Sequence, residues 1–304
     1  MHVEIFGQTR VVMSHGTVDG SGLGGVKPRQ ILEILAVSAG SPVSKEVLAD
    51  LLWAGCPPRS WTGTLESYVC LLRRHLGTTG SACRGIVTVP QGYLLDLSSV
   101  DVDLTTFRAL ARRAEADRHP ATCLPLVEEA LSLAHGDLLG DEMQAGWADD
   151  QRETLRRELV GLHGLAASCG LALEQPDLAV RHARAALRRD PLAEGVWRTL
   201  MRALAAAGRR AEALRAYAEV RERLAEELGT DPSPETTNLY LDLLRSDGAV
   251  PAHGAAEARE EVRLLMRLLR DAVLAVPDRD VGDLEVADRD AGWWQVAVRL
   301  AAAS

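Results

Sequence analysis

Hydrophobic and polar positions alternate at the beginning of the chain and then recur with a helical period. Residues 3–13 alternate and are rich in β-branched side chains, which predicts strands of a small sheet. From residue 28 the apolar positions follow helical spacing, and three helices are predicted before residue 77. Ser44 is the expected N-cap of the second helix, and Gly77 is expected to end the third.

The third predicted helix begins near Ser60 and has one continuous apolar stripe. The inward positions of this stripe are Trp61, Leu65, Tyr68, Val69, Leu72 and Leu76. Residues 86–97 then predict two strands around a turn, in which Gly92 is expected to allow a tight turn. Strands, three helices and a hairpin in this order predict a winged helix-turn-helix over residues 1–98.

The outward face of the third helix is the candidate DNA-binding site. Small polar side chains lie toward its N-terminal half, where they can meet base edges, and arginines lie toward its end, where they can reach phosphates or guanine edges. An ordinary amphipathic surface helix has the same pattern, but the hairpin that follows favours a winged helix. The predicted DNA contacts are Lys27, Arg29, Arg59, Ser60, Thr62, Glu66, Ser67, Cys70, Arg73, Arg74, Thr88, Gly92 and Tyr93.

Residues 99–245 show helical patterns alone, which predicts a mainly α protein with a small β component. An internal repeat aligns three positions with three others 34 residues later: Ala179, Ala183 and Ala186 with Ala213, Tyr217 and Val220. Trp197 precedes the second set at tetratricopeptide spacing, and His163 stands where the first set would have Trp. The region is therefore predicted to be an all-α tetratricopeptide-like domain, followed at 246–304 by a linker and a C-terminal extension of unknown role.

Charge is distributed unevenly between the two predicted domains. The formal net charge of the 304 residues is −9, yet residues 1–99 carry eight Lys and Arg against seven Asp and Glu. The remaining residues carry 26 basic and 36 acidic side chains. The acidity therefore belongs to the C-terminal two thirds of the chain, and the first domain can still approach phosphates. A charge near +1 is low for a DNA-binding domain and keeps open an adaptor that does not bind DNA.

Other kinds of site find little support. Gly20–Gly25 matches G-x-G-x-x-G, but a helix-turn-helix pattern follows it instead of a second parallel strand, so a surface hairpin loop is expected. The five cysteines have no C-x-x-C spacing and the histidines are scattered, so neither an enzyme, a cofactor nor a metal is expected. No secretory signal or membrane span is apparent, which predicts a cytoplasmic, nucleoid-associated protein.

Several short motifs of residues 1–98 resemble the DNA-binding half of the Streptomyces antibiotic regulatory protein family, whose fold is an OmpR-type winged helix. The motifs stand in the family order: Lys27-x-Arg29, Pro42-Val43-Ser44, Leu52-Trp53, Tyr68-Val69, Leu72-Arg73-Arg74 and Pro90-x-Gly92-Tyr93. Residues 102–110 and 190–235 resemble the bacterial transcriptional activation domain of the same family. The family commonly has a small residue where Trp61 stands, Ser at Cys70 and Arg at Leu71, and Gly63 weakens the helix by about 1 kcal/mol relative to Ala.

The resemblance implies that the chain activates transcription of a secondary-metabolite gene cluster. Members bind direct repeats in double-stranded DNA as side-by-side copies, which implies a homodimer on DNA. They also recruit RNA polymerase, including its sigma factor. The alternative is a tetratricopeptide-like adaptor with a degenerate winged helix; Leu71 and Gly63 support it.

Overall fold

The computed structural model describes residues 1–14, 16–77 and 85–245, so the predicted extension at 246–304 lies outside the described residues. The described strands are β1 (His2–Glu4), β2 (Arg10–Met13), β3 (Gly16–Asp19), β4 (Val43–Ser44), β5 (Ile86–Val89), β6 (Gly92–Leu95) and β7 (Asp101–Val102). The described α-helices are α1 (Val26–Val37), α2 (Lys45–Trp53), α3 (Trp61–His75), α4 (Asp103–Ala116), α5 (Pro120–Leu133), α6 (Asp149–Ala172), α7 (Pro176–Arg189), α8 (Glu194–Ala206), α9 (Arg210–Leu228) and α10 (Pro234–Arg245). The prediction of a mainly α protein with a small β component is confirmed.

The described strands of the N-terminal region form two small sheets, one of four strands and one of three. One has the strand order β3-β2-β1-β7, in which β1 and β2 are antiparallel and β7 runs parallel to β1. The other has the order β4-β6-β5, so the predicted hairpin forms with Thr88 opposite Tyr93. β7 lies just beyond the predicted domain boundary at residue 98. It pairs with β1, so the sheet joins the beginning of the N-terminal region to the segment that follows the hairpin.

The predicted helix ends of the helix-turn-helix are found in the structure. Ser44 precedes α2, and its Oγ accepts a hydrogen bond from the backbone N–H of Val47 at 3.1 Å. This bond satisfies one of the N–H groups that have no partner within a helix. Ser60 precedes α3, and Gly77 follows it with a φ of 66°, a left-handed conformation that glycine adopts without strain.

One hydrophobic core runs through the N-terminal region and into the first helices of the helical region. Buried residues from Val3 to Cys169 belong to it, and Phe6 contacts Phe107 of α4 edge to face, with ring centroids 5.6 Å apart. A second cluster fills the space between α7, α8 and α9 and includes the repeat positions Ala179, Ala213 and Val220. Five of the six repeat positions, all except Tyr217, are therefore buried where neighbouring helices pack.

A buried carboxylate connects the first strand to the first helix of the helical region. Asp103, only 2% exposed, accepts backbone hydrogen bonds from Ile5 at 2.8 Å, Phe6 at 2.9 Å and Leu104 at 2.7 Å. Burial raises the pKa of Asp103, whereas these three bonds act to lower it. The side chain satisfies N–H groups at the end of β1 that the sheet leaves without partners.

A buried ionic cluster connects the two regions a second time. The Arg29 guanidinium contacts Glu142 at 2.6 Å and Glu33 at 3.3 Å, and its side chain is 14% exposed. Gln30 donates to the other oxygen of Glu142 at 2.7 Å, and the Thr9 hydroxyl donates to Glu33 at 2.5 Å. Burial raises the pKa of Glu33 to about 7, although Thr9 and Arg29 oppose the shift.

We expect Asp103→Asn to reduce the free energy of unfolding by about 1–3 kcal/mol, because an amide cannot accept on both of its polar atoms and leaves a buried N–H without a partner. Urea denaturation of the full chain measures the change. Asp101→Asn, at an exposed position of β7, is the matched control. Equal losses in both variants would contradict the role assigned to the Asp103 carboxylate.

The raised pKa of Glu33 predicts a pH dependence of stability. Between its ordinary value of 4.5 and about 7, the folded chain retains a proton that the unfolded chain has released. Stability from this group is therefore full below pH 4.5 and is lost as the pH rises toward 7. Glu33→Gln, which cannot titrate, should flatten this part of the profile in urea denaturation at several pH values. An unchanged slope would refute the assignment to Glu33.

Candidate nucleic-acid interface

Helix α3 has the two faces that its sequence predicts. Leu65, Val69 and Leu72 are buried in the core. Most of the predicted outward residues are exposed: Thr62, Glu66, Ser67, Cys70 and Arg74. The buried stripe fixes the rotation of the helix about its axis, and this rotation decides which side chains face solvent.

The middle of the exposed face carries an ion pair between α3 and α2. Glu66 accepts from Lys45 Nζ at 2.6 Å, and this hydrogen bond raises the pKa of Lys45. The Lys45 ammonium also lies 5.9 Å from the centre of the Tyr93 ring. Lys45 is absent from the predicted contacts; its place directly after the Ser44 N-cap, at the start of the helix that precedes α3, is the signal that would have suggested it.

Arg73 connects α3 to the hairpin of β5 and β6. Its guanidinium donates to the Ile86 carbonyl from Nε at 3.1 Å and from Nη2 at 2.8 Å, and to Thr88 Oγ1 at 2.8 Å. The guanidinium carbon lies 5.9 Å from the centre of the Tyr93 ring. Arg73 is half-buried, so its role in this geometry is to set the position of the hairpin relative to the helix.

The remaining polar side chains of this face differ in whether they already have hydrogen-bond partners within the protein. Ser67 Oγ donates to the Gly63 carbonyl within the helix at 2.8 Å. Ser60 is exposed, and its carbonyl accepts from Thr64 Oγ1 at 3.1 Å. Arg59 and Arg74 are exposed, and neither side chain makes a hydrogen bond or an ion pair among the described residues. These two arginines are therefore the cations of the face that have their donors available for a ligand.

Gly92 and Tyr93 are buried, so the prediction that they contact DNA is corrected. Gly92 does not have the positive φ of a tight turn; a Cβ on it would lie 1.9 Å from the Val43 carbonyl oxygen. Glycine is needed there because β4 passes directly against β6. The Tyr93 side chain, in a residue 3% exposed, packs in the core beneath Lys45 and Arg73.

Lys27 and Arg29 also face the protein instead of the exposed face of α3. Lys27 Nζ donates to Gln30 Oε1 at 3.1 Å and to the Leu52 carbonyl, in the last turn of α2. A cation at this position interacts favourably with the C-terminal carbonyls of that helix. Arg29 belongs to the buried cluster with Glu33 and Glu142. Both cations thus have partners within the protein, and their phosphate contacts stay a prediction.

The glycine-rich stretch is a short 3-10 helix over Gly20–Leu23, which corrects the expected surface hairpin loop. Asp19 caps it by accepting from the Gly22 N–H at 3.0 Å, and Leu23 is fully buried. A Cβ on Gly24 would lie 2.6 Å from Leu71 Cδ2. Leu71 therefore packs against this stretch, and the departure from Arg at position 71 lies on the side of α3 that contacts the protein.

Within residues 1–14, 16–77 and 85–245, no group of three or more His, Cys, Asp and Glu side chains is placed to bind a metal ion. No helix in these ranges combines the length and the apolar character needed to cross a membrane.

Comparison with known proteins gives the family. A model described as "Transcriptional regulatory protein, C terminal" matches residues 24–95, and one described as "Bacterial transcriptional activator domain" matches residues 102–244. The regulatory protein DnrI of Streptomyces peucetius is 32% identical over 256 residues, which cover 75% of this chain and 87% of DnrI. The chain belongs to the Streptomyces antibiotic regulatory protein family.

Other relatives agree with this placement. The transcriptional regulator RedD of Streptomyces coelicolor is 28% identical over 262 residues, covering 81% of this chain and 71% of RedD. The solved structure of Mycobacterium tuberculosis EmbR in complex with a low affinity phosphopeptide superimposes with a TM-score of 0.70 at 25% identity, covering 88% of this chain and 70% of EmbR. The predicted architecture, an OmpR-type winged helix followed by an all-α activation domain, is thereby confirmed. The family consists of transcriptional regulators, which are not enzymes.

Two glycines of the interface should respond in opposite directions to substitution by alanine. Gly92→Ala places a Cβ against the β4 backbone and should reduce the free energy of unfolding by about 3 kcal/mol, the upper end of overpacking costs. Gly63→Ala, within α3 and with no atom within 4 Å of the added Cβ, should increase it by about 0.5–1 kcal/mol. Urea denaturation measures both. Stabilisation by Gly92→Ala would contradict the close approach of β4.

Proposed function

We propose that the chain activates transcription by inserting α3 into the major groove of operator DNA, with the β5–β6 hairpin on the adjacent backbone or minor groove. The observation that carries the proposal is the exposed polar face of α3 beside a hairpin that Arg73 holds in place. A helix with short polar groups and an arginine at its end can read base edges while it contacts phosphate. The family to which the chain belongs supports the same activity.

The proposed DNA contacts divide into those that would read the base sequence and those that would bind phosphates. Thr62, Ser67 and Cys70 are short and exposed, so they are the candidates for base edges. Arg59 and Arg74 are the candidates for phosphates, because their donors have no partner among the described residues. Few available cations predict modest electrostatic affinity for a single copy. Binding of two copies to direct repeats, as a homodimer on DNA, would compensate through effective concentration.

The helical region is the candidate surface for RNA polymerase and its sigma factor. Its excess of acidic residues weakens its attraction to phosphates and suits basic segments of a protein partner. The buried contacts of Asp103 and Arg29 give this region a defined position relative to α3. A bound copy would therefore present the helical region at a fixed place beside the operator. Activation of a secondary-metabolite gene cluster belongs to this proposal.

Substitutions of Arg73 and Arg74 should separate positioning from phosphate contact. Pull-down of genomic DNA fragments with the purified chain supplies the probe, and gel shifts over a salt series measure affinity. Arg74→Ala should lower the slope of log K against log salt by about 0.9, the value for one lost phosphate contact. Arg73→Ala should weaken binding with less change in slope, because it acts through the hairpin. Arg112→Ala, exposed on α4, is the matched control.

The same experiment tests the adaptor alternative. If no genomic fragment shifts in a way that resists competitor DNA, the winged helix does not bind DNA by itself, and the proposal fails. If fragments do shift but Arg74→Ala has the same DNA affinity and salt slope as the unaltered chain, the chain binds DNA and the assignment of α3 to the interface fails.

A further inference from the structure

A basic segment interrupts the acidic helical region. Residues 181–215 contain nine arginines and three acidic residues, although residues 100–304 as a whole have ten more acidic than basic side chains. The segment comprises the end of α7, all of α8 and the beginning of α9. Such a local excess of guanidinium groups produces a positive potential that the net charge of the chain conceals.

Part of this charge surrounds a groove of about 620 Å³ between α7 and α9, with α8 at its base. Trp197, Leu200 and Leu204 form the apolar base, and each is less than 5% exposed. The Trp197 indole N–H donates to the Pro191 carbonyl at 2.7 Å, so this polar group already has a partner. The volume is in the range of sites that accept small ligands or a few side chains of a peptide.

The sides of the groove have more positive than negative charge. Four arginines line it together with two glutamates. Arg184 pairs with Glu212 across the groove at 3.1 Å, and Arg223 pairs with Glu219 at 2.9 Å. Arg188 is exposed, and its side chain makes no hydrogen bond or ion pair among the described residues. The two glutamates are therefore already engaged, and the Arg188 guanidinium keeps its donors for a ligand.

We propose that this groove binds an acidic, leucine-containing peptide segment of a partner protein. Carboxylates would pair with Arg188 and its neighbours in the planar geometry that guanidinium favours, and a leucine-type side chain would contact the apolar base. Duplex DNA fits less well, because the apolar base offers nothing to a sugar-phosphate backbone. The site is separate from α3, so the proposal does not depend on DNA binding.

Selection from a phage-displayed random 12-residue library on the full chain tests the proposal. The enriched peptides should combine Asp or Glu with Leu. A fluorescent copy of the most enriched peptide should bind at least tenfold more weakly to Arg188→Glu/Arg215→Glu in anisotropy titrations. Arg221→Glu, an exposed arginine of α9 that does not line the groove, should bind as the unaltered chain does.

Several outcomes would overturn the proposal. These are enrichment of neutral or basic peptides, no enrichment above the starting library, or equal peptide affinity in the unaltered chain and both variants. Displacement of the peptide by a 20-base-pair duplex of unrelated sequence, with the same loss in Arg188→Glu/Arg215→Glu, would assign the groove to nucleic acid. If circular dichroism shows that the double variant is unfolded, Arg188→Gln decides, because it removes one charge without introducing repulsion; unchanged affinity in that variant refutes the proposal.

Discussion

Two buried carboxylate contacts determine how the winged helix and the helical region lie relative to each other. Asp103 accepts the N–H groups of Ile5 and Phe6 at the end of the first strand, and Glu142 accepts from Arg29 of the first helix. Charged groups removed from water are costly unless their partners are well placed, so each contact permits only a narrow range of geometries. Hydrophobic packing of Phe6 on Phe107 attracts the two regions to each other. The polar contacts then fix the position of one region relative to the other.

The same reasoning explains the candidate DNA-binding face. The buried stripe of α3 orients the helix, and Arg73 then connects it to the hairpin through the Ile86 carbonyl and the Thr88 hydroxyl. Gly92 allows β4 to approach β6 closely enough to complete the small sheet beneath the hairpin. Residues that look like ligand contacts in the sequence therefore act as supports, and the exposed contacts are fewer than the predicted set.

Charge is arranged locally in this protein, so net charge is a poor guide to its surfaces. The N-terminal region is almost neutral because it carries eight basic and seven acidic side chains, and some of these pair with each other, such as Lys45 with Glu66. The helical region is acidic overall, yet residues 181–215 concentrate arginine around one groove. The acidic helical region, the groove lined by arginines and the exposed polar face of α3 give one chain three chemically different surfaces. Distinct partners can therefore be distinguished by electrostatic complementarity.

The sequence alone determined the order of the first strands, the three helices and the hairpin, and the mainly helical character of the residues that follow. Helical periodicity, the Ser44 cap and the 34-residue repeat are local properties, because they depend on residues a few positions apart or on positions that repeat. The family motifs lie within these elements, so the architecture could be predicted together with the exposed face of α3.

Only the tertiary structure decided which of the predicted contacts remain available to DNA. Arg29 is buried because Glu142, 113 residues later, lies against it, and Gly92 is required because the distant β4 backbone passes it. Leu71 packs against Gly24 for the same reason. A contact between distant segments leaves no periodic trace in the sequence, since its geometry arises only when the whole core has packed.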